Sequence, residues 1–224
     1  MSFSPLVARL QGEAVAAWDL HYRAAADQGA GRDVIVLSVG DPDFDTPAAI
    51  TEATIAALRA GETHYSDLLG LDELRTAVAR RHQEKTGQPT AIENVAIMSG
   101  AQCGLFASSM CLLAPGDEVI VPEPMYVTYE ATLQAPGAVI VPVPQRPENG
   151  FHLDPNDVAQ AITPRTRAIY FATPCNPTGA MMPRATLEEV AALARQHDLW
   201  VVSDEVYATL TFGEEHVSIA GLPG

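Results

Sequence analysis

The sequence predicts an α/β fold with a mostly parallel sheet and helices on both of its faces. From residue 34 onward, short β-branched runs alternate with longer stretches of helical periodicity, and this alternation is typical of βαβ units. Apolar residues make up 47% of the 224 positions, which is enough for a substantial packed core. No internal repeat or low-complexity segment interrupts the pattern.

The predicted elements follow one another in a regular order. Two helical stretches, 7–10 and 14–26, precede a glycine-rich break at 29–31. Strands are expected at 34–39, 95–98, 118–121, 138–141, 168–172 and 200–203. Helices are expected at 47–60, 71–86, 102–113, 126–134, 157–162 and 187–197. Thr46 is expected to cap the helix opened by Pro47, while Gly61 and Gly87 are expected to end helices.

A domain boundary is predicted near residue 45. Residues 1–45 are interpreted as an N-terminal arm with part of a small domain, and residues 46–224 as a larger domain that is incomplete at its C-terminus. The chain ends at 221–224 soon after a strand and without a closing helix. We therefore expect it to be a fragment of a longer protein.

The charge of the chain excludes several classes of partner. Its formal net charge is −15, from 28 acidic and 13 basic residues, so nucleic acid and anionic membrane surfaces would be repelled and neither is expected to bind. The N-terminus lacks the pattern of a secretory signal, so a cytoplasmic location is expected. The three cysteines and six scattered histidines lack the spacing of a zinc site, and no metal is expected.

Glycines and polar residues follow several predicted strands directly. In an open parallel sheet, ligands bind beyond the carboxyl ends of the strands. Gly40 follows the strand at 34–39 and would let a ligand approach the backbone closely, although an ordinary turn also fits. Gly100 follows the strand at 95–98 and opens a helix, whose free N–H groups can bind phosphate. A glycine needed only for the turn is the alternative at this position.

Asn176 and Asp204 follow two later strands. Asn176 lies in the loop 173–179, where two prolines and a glycine restrict the backbone and fix the amide in space. Asp204 ends a hydrophobic strand, and Tyr207 comes three residues later. The alternative for the loop of Asn176 is an ordinary proline-rich connection, and the alternative for Asp204 is a capping or salt-bridged acid. A magnesium-dependent nucleotide hydrolase would need a Gly-x-x-x-x-Gly-Lys-Ser/Thr loop. A nicotinamide or flavin enzyme would need a Gly-x-Gly-x-x-Gly motif. The sequence contains neither motif.

Taken together and in this order, these segments resemble class I/II aminotransferases of the aspartate aminotransferase type, which are fold-type I pyridoxal-phosphate enzymes. The resemblance covers residues 34–207 and includes the segments 64–75 and 122–126. It implies the large domain of that fold, pyridoxal 5'-phosphate as cofactor, and an amino acid and a 2-oxo acid as substrates. The stretches 17–24 and 123–130 are also similar to arginine–pyruvate transaminases, which implies transfer from arginine to pyruvate.

The resemblance implies roles for residues that would hold the phosphate and the ring face. Gly100, Ala101 and Gln102 match the turn that cradles the phosphate. Tyr126 matches the aromatic residue that stacks on the cofactor ring. Tyr65 matches a tyrosine that reaches the phosphate of the neighbouring subunit, so the resemblance implies a homodimer.

Four further residues match positions around the ring edge and the substrate. Asn176 matches the amide that binds the 3-oxygen of the ring, and Tyr207 matches the tyrosine that shares this oxygen. Asp204 matches the carboxylate paired with the ring nitrogen, and with Tyr207 it is the predicted catalytic pair. Gly40 matches the backbone that meets the substrate carboxylate.

One essential part of the family pattern is absent from the chain. The Ser-x-Ser-Lys segment, expected a few tens of residues after Tyr207, is not present, and the only lysine is Lys85, which is expected on a solvated helix face. Without the Schiff-base lysine, this polypeptide alone is expected to be inactive, whereas the complete protein would be a transaminase. A lysine-free binding or regulatory module of the same fold and a carbon–sulfur lyase are the alternatives.

Overall fold

The computed structural model describes residues 3–10 and 14–223, without the side chains of 14–17. Four strands form its sheet, namely β1 (Glu118–Glu123), β2 (Val139–Pro144), β3 (Thr166–Ala172) and β4 (Trp200–Asp204). The α-helices are α1 (Pro5–Arg9), α2 (Ala14–Gly29), α3 (Ala48–Arg59), α4 (Asp72–Thr86), α5 (Ala101–Leu112), α6 (Tyr129–Gln134), α7 (Pro155–Ala161) and α8 (Arg184–Gln196). Three short 3-10 helices lie at Ile92–Asn94, Pro147–Asn149 and Ile219–Gly221.

The sheet is parallel throughout, with the strand order β2-β1-β3-β4. From β1 the chain crosses to β2 on one side, and from β3 it crosses to β4 on the other. The connections after β1 and β3 therefore diverge, and a crevice is left beyond the carboxyl ends of these two central strands. The predicted mostly parallel α/β sheet is confirmed.

The core consists of two apolar clusters, and the side-chain alternation of β1 and β3 separates them. Ile120 and Ile169 belong to a cluster that includes Val190 of α8 and Val158 of α7. The second cluster contains the neighbouring positions of the same strands together with the apolar face of α6, and its members include Val119, Val121, Leu133, Ala168 and Tyr170. Because successive residues of a strand point to opposite faces, helices cover both faces of the sheet.

Two of the six predicted strands are wrong. Residues 34–39 and 95–98 join no ladder within the described residues. Ile35 and Leu37 expose 80% and 87% of their surface. In the second run, the N–H of Ile97 donates to the carbonyl of Leu69 at 2.8 Å, which is a single bond and not a ladder. A β-branched run becomes a strand only where a neighbouring chain satisfies its backbone groups, and local pattern does not reveal that neighbour.

The predicted helix ends agree with the structure at two glycines, and one predicted cap is wrong. Gly61 has a φ of +86° after α3, and its N–H donates to the Leu58 carbonyl, as in a Schellman ending. Gly87 has a φ of +73° and ends α4. The cap position of α3 is Pro47 and not Thr46, because the helix begins one residue later than expected. The helix predicted at 126–134 begins at Tyr129.

No helix in the described part of the chain has both the length and the apolar character needed to cross a membrane.

An ion pair fixes the amino-terminal end of the sheet. Glu118, the first residue of β1, exposes only 5% of its surface and accepts hydrogen bonds from the Thr163 hydroxyl and the Arg165 guanidinium, with the Arg165 Nε at 2.9 Å. These contacts, that of Thr163 most strongly and then that of Arg165, hold the pKa of the Glu118 carboxyl below its usual value of 4.5. The ionised carboxylate therefore ties β1 to the turn before β3.

We predict that Glu118→Gln lowers the thermal midpoint of the protein at neutral pH and has little effect in acid. A carboxyl whose pKa is lowered by folding stabilises the protein above its unfolded pKa of 4.5, and this contribution is lost as the pH falls through the folded pKa. Midpoints of the variant and the parent, measured from about pH 7 down to about pH 3, should converge at the acid end.

The matched control for this prediction is Glu188→Gln. Glu188 is exposed and pairs with Arg184 at 3.7 Å on the surface of α8, so its loss should change the midpoint little at any pH. A Glu118→Gln effect that is the same at neutral and acid pH would contradict the assigned role of the ionised carboxylate.

Candidate functional site

A cavity of about 220 Å³ lies beyond the carboxyl ends of β3 and β4. Its wall combines the first turn of α5, the segment before α6, the loop after β3 and the residues that follow β4. Six of the residues predicted for the site line it, namely Ala101, Gln102, Tyr126, Asn176, Asp204 and Tyr207. Residues up to 106 positions apart in sequence thus meet at the place where an open parallel sheet binds ligands.

The first turn of α5 is arranged to bind an anion. Gly100 is its cap residue, with a φ of +86° that favours glycine, and no side chain caps the free N–H groups that follow. An added Cβ at Gly100 would meet no atom within 4 Å, so glycine is required here by the backbone conformation and not by crowding. The first turn carries no acidic residue. Ala101 and Gln102 therefore present N–H donors at the positive end of a helix dipole.

Asp204 ends β4 with both carboxylate oxygens held by donors. Its Oδ1 accepts from the N–H of Val206 at 3.1 Å, and its Oδ2 accepts from the hydroxyl of Tyr129 at 2.7 Å. Its backbone carbonyl accepts from the N–H of Thr173 at 3.0 Å, which ties the end of β4 to the loop after β3. A carboxylate has about four lone-pair sites, so Asp204 retains acceptor capacity toward the cavity.

Tyr129 contacts the predicted carboxylate of this site, and sequence reasoning missed it. It exposes 1% of its surface, and its ring packs edge-on against Tyr126 and Tyr170, with centroids 5.8 Å and 4.9 Å away. Burial, and then the hydrogen bond to Asp204, raise the pKa of the Tyr129 hydroxyl far above its usual value. The hydroxyl therefore remains a donor to Asp204 at physiological pH. Its partner lies 75 residues away and no motif marks the pair, so only the fold reveals it.

The loop after β3 holds Asn176 at the border of two cavities. Hydrogen bonds from the Gly179 N–H to the Cys175 carbonyl (2.7 Å) and from the Cys175 N–H to the Ala180 carbonyl (2.8 Å) close the loop. Within residues 3–10 and 14–223, the Asn176 amide has no hydrogen-bond partner, so its donor and acceptor remain free. Asn176 and Tyr207 also border a second cavity of about 590 Å³.

Three other residues considered from sequence lie away from the cavity wall. Gly40 is exposed, and an added Cβ would meet no atom within 4 Å. The Tyr65 side chain is fully exposed. Lys85 is exposed in the last turn of α4, as expected for a solvated helix face. The structure thus brings together the predicted phosphate and ring residues but not the residues predicted for the substrate or for a second subunit.

A parallel sheet with helices on both faces, and a cavity between an uncapped helix start and a donor-held aspartate at its carboxyl edge, define the class of α/β domains that bind ligands at the sheet edge. The family model for aminotransferases of class I and II matches residues 32–223, and the chain belongs to this family.

Curated relatives and solved structures agree with this assignment. The chain is 55% identical over 224 residues to an arginine–pyruvate transaminase of Pseudomonas aeruginosa. The aligned region covers all of this chain and 57% of that protein. It is 43% identical over 188 residues to an aspartate/prephenate aminotransferase of Thermus thermophilus, covering 84% of this chain and 49% of that protein. The chain thus spans about half the length of these relatives.

The fold is that of solved aminotransferases. An aspartate aminotransferase from Thermus thermophilus with maleate superposes with a TM-score of 0.94 at 38% identity, covering 99% of this chain and 57% of that one. An alanine aminotransferase from Pyrococcus furiosus gives a TM-score of 0.94 at 33% identity, covering all of this chain and 57% of that one. The predicted fold class, fold-type I, is confirmed.

We predict that Tyr129→Phe destabilises the protein by about 1–3 kcal/mol, because it removes the donor to a carboxylate oxygen in the partly buried wall. Chemical denaturation of parent and variant measures this difference. Tyr170→Phe is the matched control, since Tyr170 is equally buried but its hydroxyl has no hydrogen-bond partner among the described residues. The nearby Ser109 hydroxyl donates instead to the Leu105 carbonyl at 2.8 Å. Equal losses in the two variants would show that the Tyr129–Asp204 bond contributes nothing.

Proposed function

We propose that the protein containing this chain is a pyridoxal-phosphate-dependent aminotransferase that moves an amino group between an amino acid and a 2-oxo acid. One observation carries the proposal: Asp204 and the first turn of α5 border the same cavity. A cofactor with a phosphate at one end and a basic ring nitrogen at the other needs an anion site and a carboxylate within its own length. Membership of the aminotransferase family supports the same reaction.

The residues of the cavity fit this cofactor. The N–H groups of the Gly100–Gln102 turn would hold its phosphate, and the ring of Tyr126 would lie against its ring. Asn176 and Tyr207 would donate to the 3-oxygen, since the amide of Asn176 is free. Asp204 would accept from the protonated ring nitrogen, and its negative charge favours that protonation. When bound, the pyridinium ring supplies a sink for the electrons left when the substrate Cα loses its proton.

The base and the covalent anchor for the cofactor would come from elsewhere in the protein. Lys85 is exposed on α4 and does not line the cavity. Because this chain spans only 57% of the arginine–pyruvate transaminase that it matches, we place the Schiff-base lysine in the remaining part of the complete protein. The 224-residue chain alone should then fail to turn over.

We propose arginine as the amino donor and pyruvate as the acceptor. The 55% identity to a protein named for this pair supports that choice. The second cavity, which shares Asn176 and Tyr207 with the first, has the carboxylate of Glu214 in its wall, and this group would suit a cationic side chain.

We also propose a cytoplasmic homodimer. The fully exposed Tyr65 ring and the exposed Leu68 beside it form a surface that a second copy would cover, and this position suits a tyrosine that acts in the neighbouring subunit.

The proposal is tested on the complete gene product and on the 224-residue chain in parallel. The complete protein should show the absorbance of bound pyridoxal phosphate and should produce alanine from pyruvate when arginine is supplied. The short chain should produce none. Cofactor binding without amino transfer would favour a binding module, and release of sulfide from cysteine would favour a carbon–sulfur lyase.

We predict that Asp204→Asn lowers kcat of the complete enzyme by about 100-fold or more, the order lost when one electrostatic contact to a reacting group is removed. The side chain is isosteric, so the fold and cofactor binding should persist, as checked by circular dichroism and absorbance. Asp198→Asn is the matched control, because Asp198 is exposed and its φ of 53° is one that asparagine tolerates. Near-normal turnover of Asp204→Asn would refute the role of this carboxylate.

A further inference from the structure

Helix α6 contacts both ends of the cavity through side chains. On the α5 side, the Nε2 of Gln102 donates to the hydroxyl of Thr132 at 2.6 Å, and the hydroxyl of Thr128 donates to the Oε1 of Gln102 at 2.6 Å. On the β4 side, Tyr129 donates to Asp204 at 2.7 Å. A helix of six residues with its cap residue thus joins the anion-binding turn to the carboxylate at the sheet edge.

The helical repeat explains how so short an element contacts both sides. Thr128 and Thr132 are four residues apart and therefore share one face, which is the face that Gln102 meets. Tyr129 is rotated about the helix axis by about 100° from Thr128 and by about 60° from Thr132, and it points to the sheet. Thr132 and Tyr129 expose 2% and 1% of their surface, so packing holds both side chains in place.

The hydrogen bonds around Gln102 determine which way its amide faces. The Thr132 hydroxyl donates to the Thr128 carbonyl at 2.8 Å, so its oxygen must accept the bond from Gln102. The amide nitrogen of Gln102 therefore faces Thr132, and the amide oxygen faces Thr128. Both halves of the side chain are engaged with α6. The backbone N–H of Gln102, in the uncapped first turn of α5, remains for a ligand.

We propose that Gln102 is a positioning residue whose side chain joins the anion-binding turn to α6, so that the contacts of Gln102, Thr128, Thr132 and Tyr129 fix the separation between the phosphate site and Asp204. This inference rests on the proposed function, since it assigns the two ends of the cavity to one cofactor. Gln102 would act on the phosphate through the placement of backbone N–H groups and not through its own amide.

The test uses the complete protein, freed of cofactor and titrated with pyridoxal phosphate. Gln102→Leu should weaken binding to the folded apoprotein by about tenfold, because the turn is no longer held at the correct distance from Asp204. Thr132→Val should weaken it similarly. The double variant should bind no more weakly than Gln102→Leu alone, because Gln102→Leu already breaks the bond that Thr132→Val removes.

Thr132→Ser is the matched control, since it keeps the hydroxyl that accepts from Gln102. It should retain the affinity of the parent protein. If the weaker binding of Thr132→Val came from a general loosening of α6, Thr132→Ser would bind more weakly as well. The thermal midpoint of each apoprotein is measured alongside. A lowered midpoint with unchanged affinity in Gln102→Leu and Thr132→Val would assign the contacts to stability alone and overturn the inference.

The outcomes separate this inference from the function on which it rests. If the parent protein binds pyridoxal phosphate and both variants bind it equally well, the positioning role is wrong while the proposed function stands. If the parent protein does not bind pyridoxal phosphate, both fail. Losses that add in the double variant would also overturn the inference, because independent effects are not expected of one shared link.

Discussion

The parallel pairing of β1 with β3 is the constraint on which the rest of the structure depends. These strands are adjacent although β2 lies between them in sequence, with Val119 opposite Ala168 and Ile120 opposite Ile169. The connections that leave them run to opposite sides, so the chain diverges at the carboxyl ends of the pair and leaves a crevice there. Both strands are interior to the sheet and helices cover both of their faces, which explains why the middle residues of β1 and β3 form continuous apolar runs.

The charges around the cavity differ from the charge of the whole chain. The net charge of the chain is −15, whereas the first turn of α5 has no acidic residue and presents uncapped N–H groups. Such local dipoles determine affinity at short range, whereas net charge acts on solubility and approach. At the other side of the cavity, the negative charge of Asp204 is confined to one carboxylate that two donors hold in place.

The hydrogen bonds of α6 show how a site built from distant segments acquires fixed dimensions. Gln102 and Thr132 are 30 positions apart in sequence, and Tyr129 and Asp204 are 75 apart. Each pair links a different element to the same helix, so a displacement of α6 would alter both ends of the cavity. An enzyme that must align a ring with its substrate needs this kind of support, since small displacements of a reacting group reduce rates strongly.

The sequence by itself determined the local features of this protein. The four sheet strands, most helices and the glycine endings at Gly61 and Gly87 follow from apolar periodicity and from backbone conformations that only glycine adopts easily. The residues that follow β3 and β4 could also be anticipated as a group, because parallel strands present their carboxyl ends at one edge. Only the tertiary structure decided that 34–39 and 95–98 are not strands, that Tyr129 holds Asp204, and that the Gln102 side chain binds α6. The physical reason is the same in each case: backbone ladders and side-chain hydrogen bonds need a partner from a distant segment, and that partner is supplied by packing and not by local pattern.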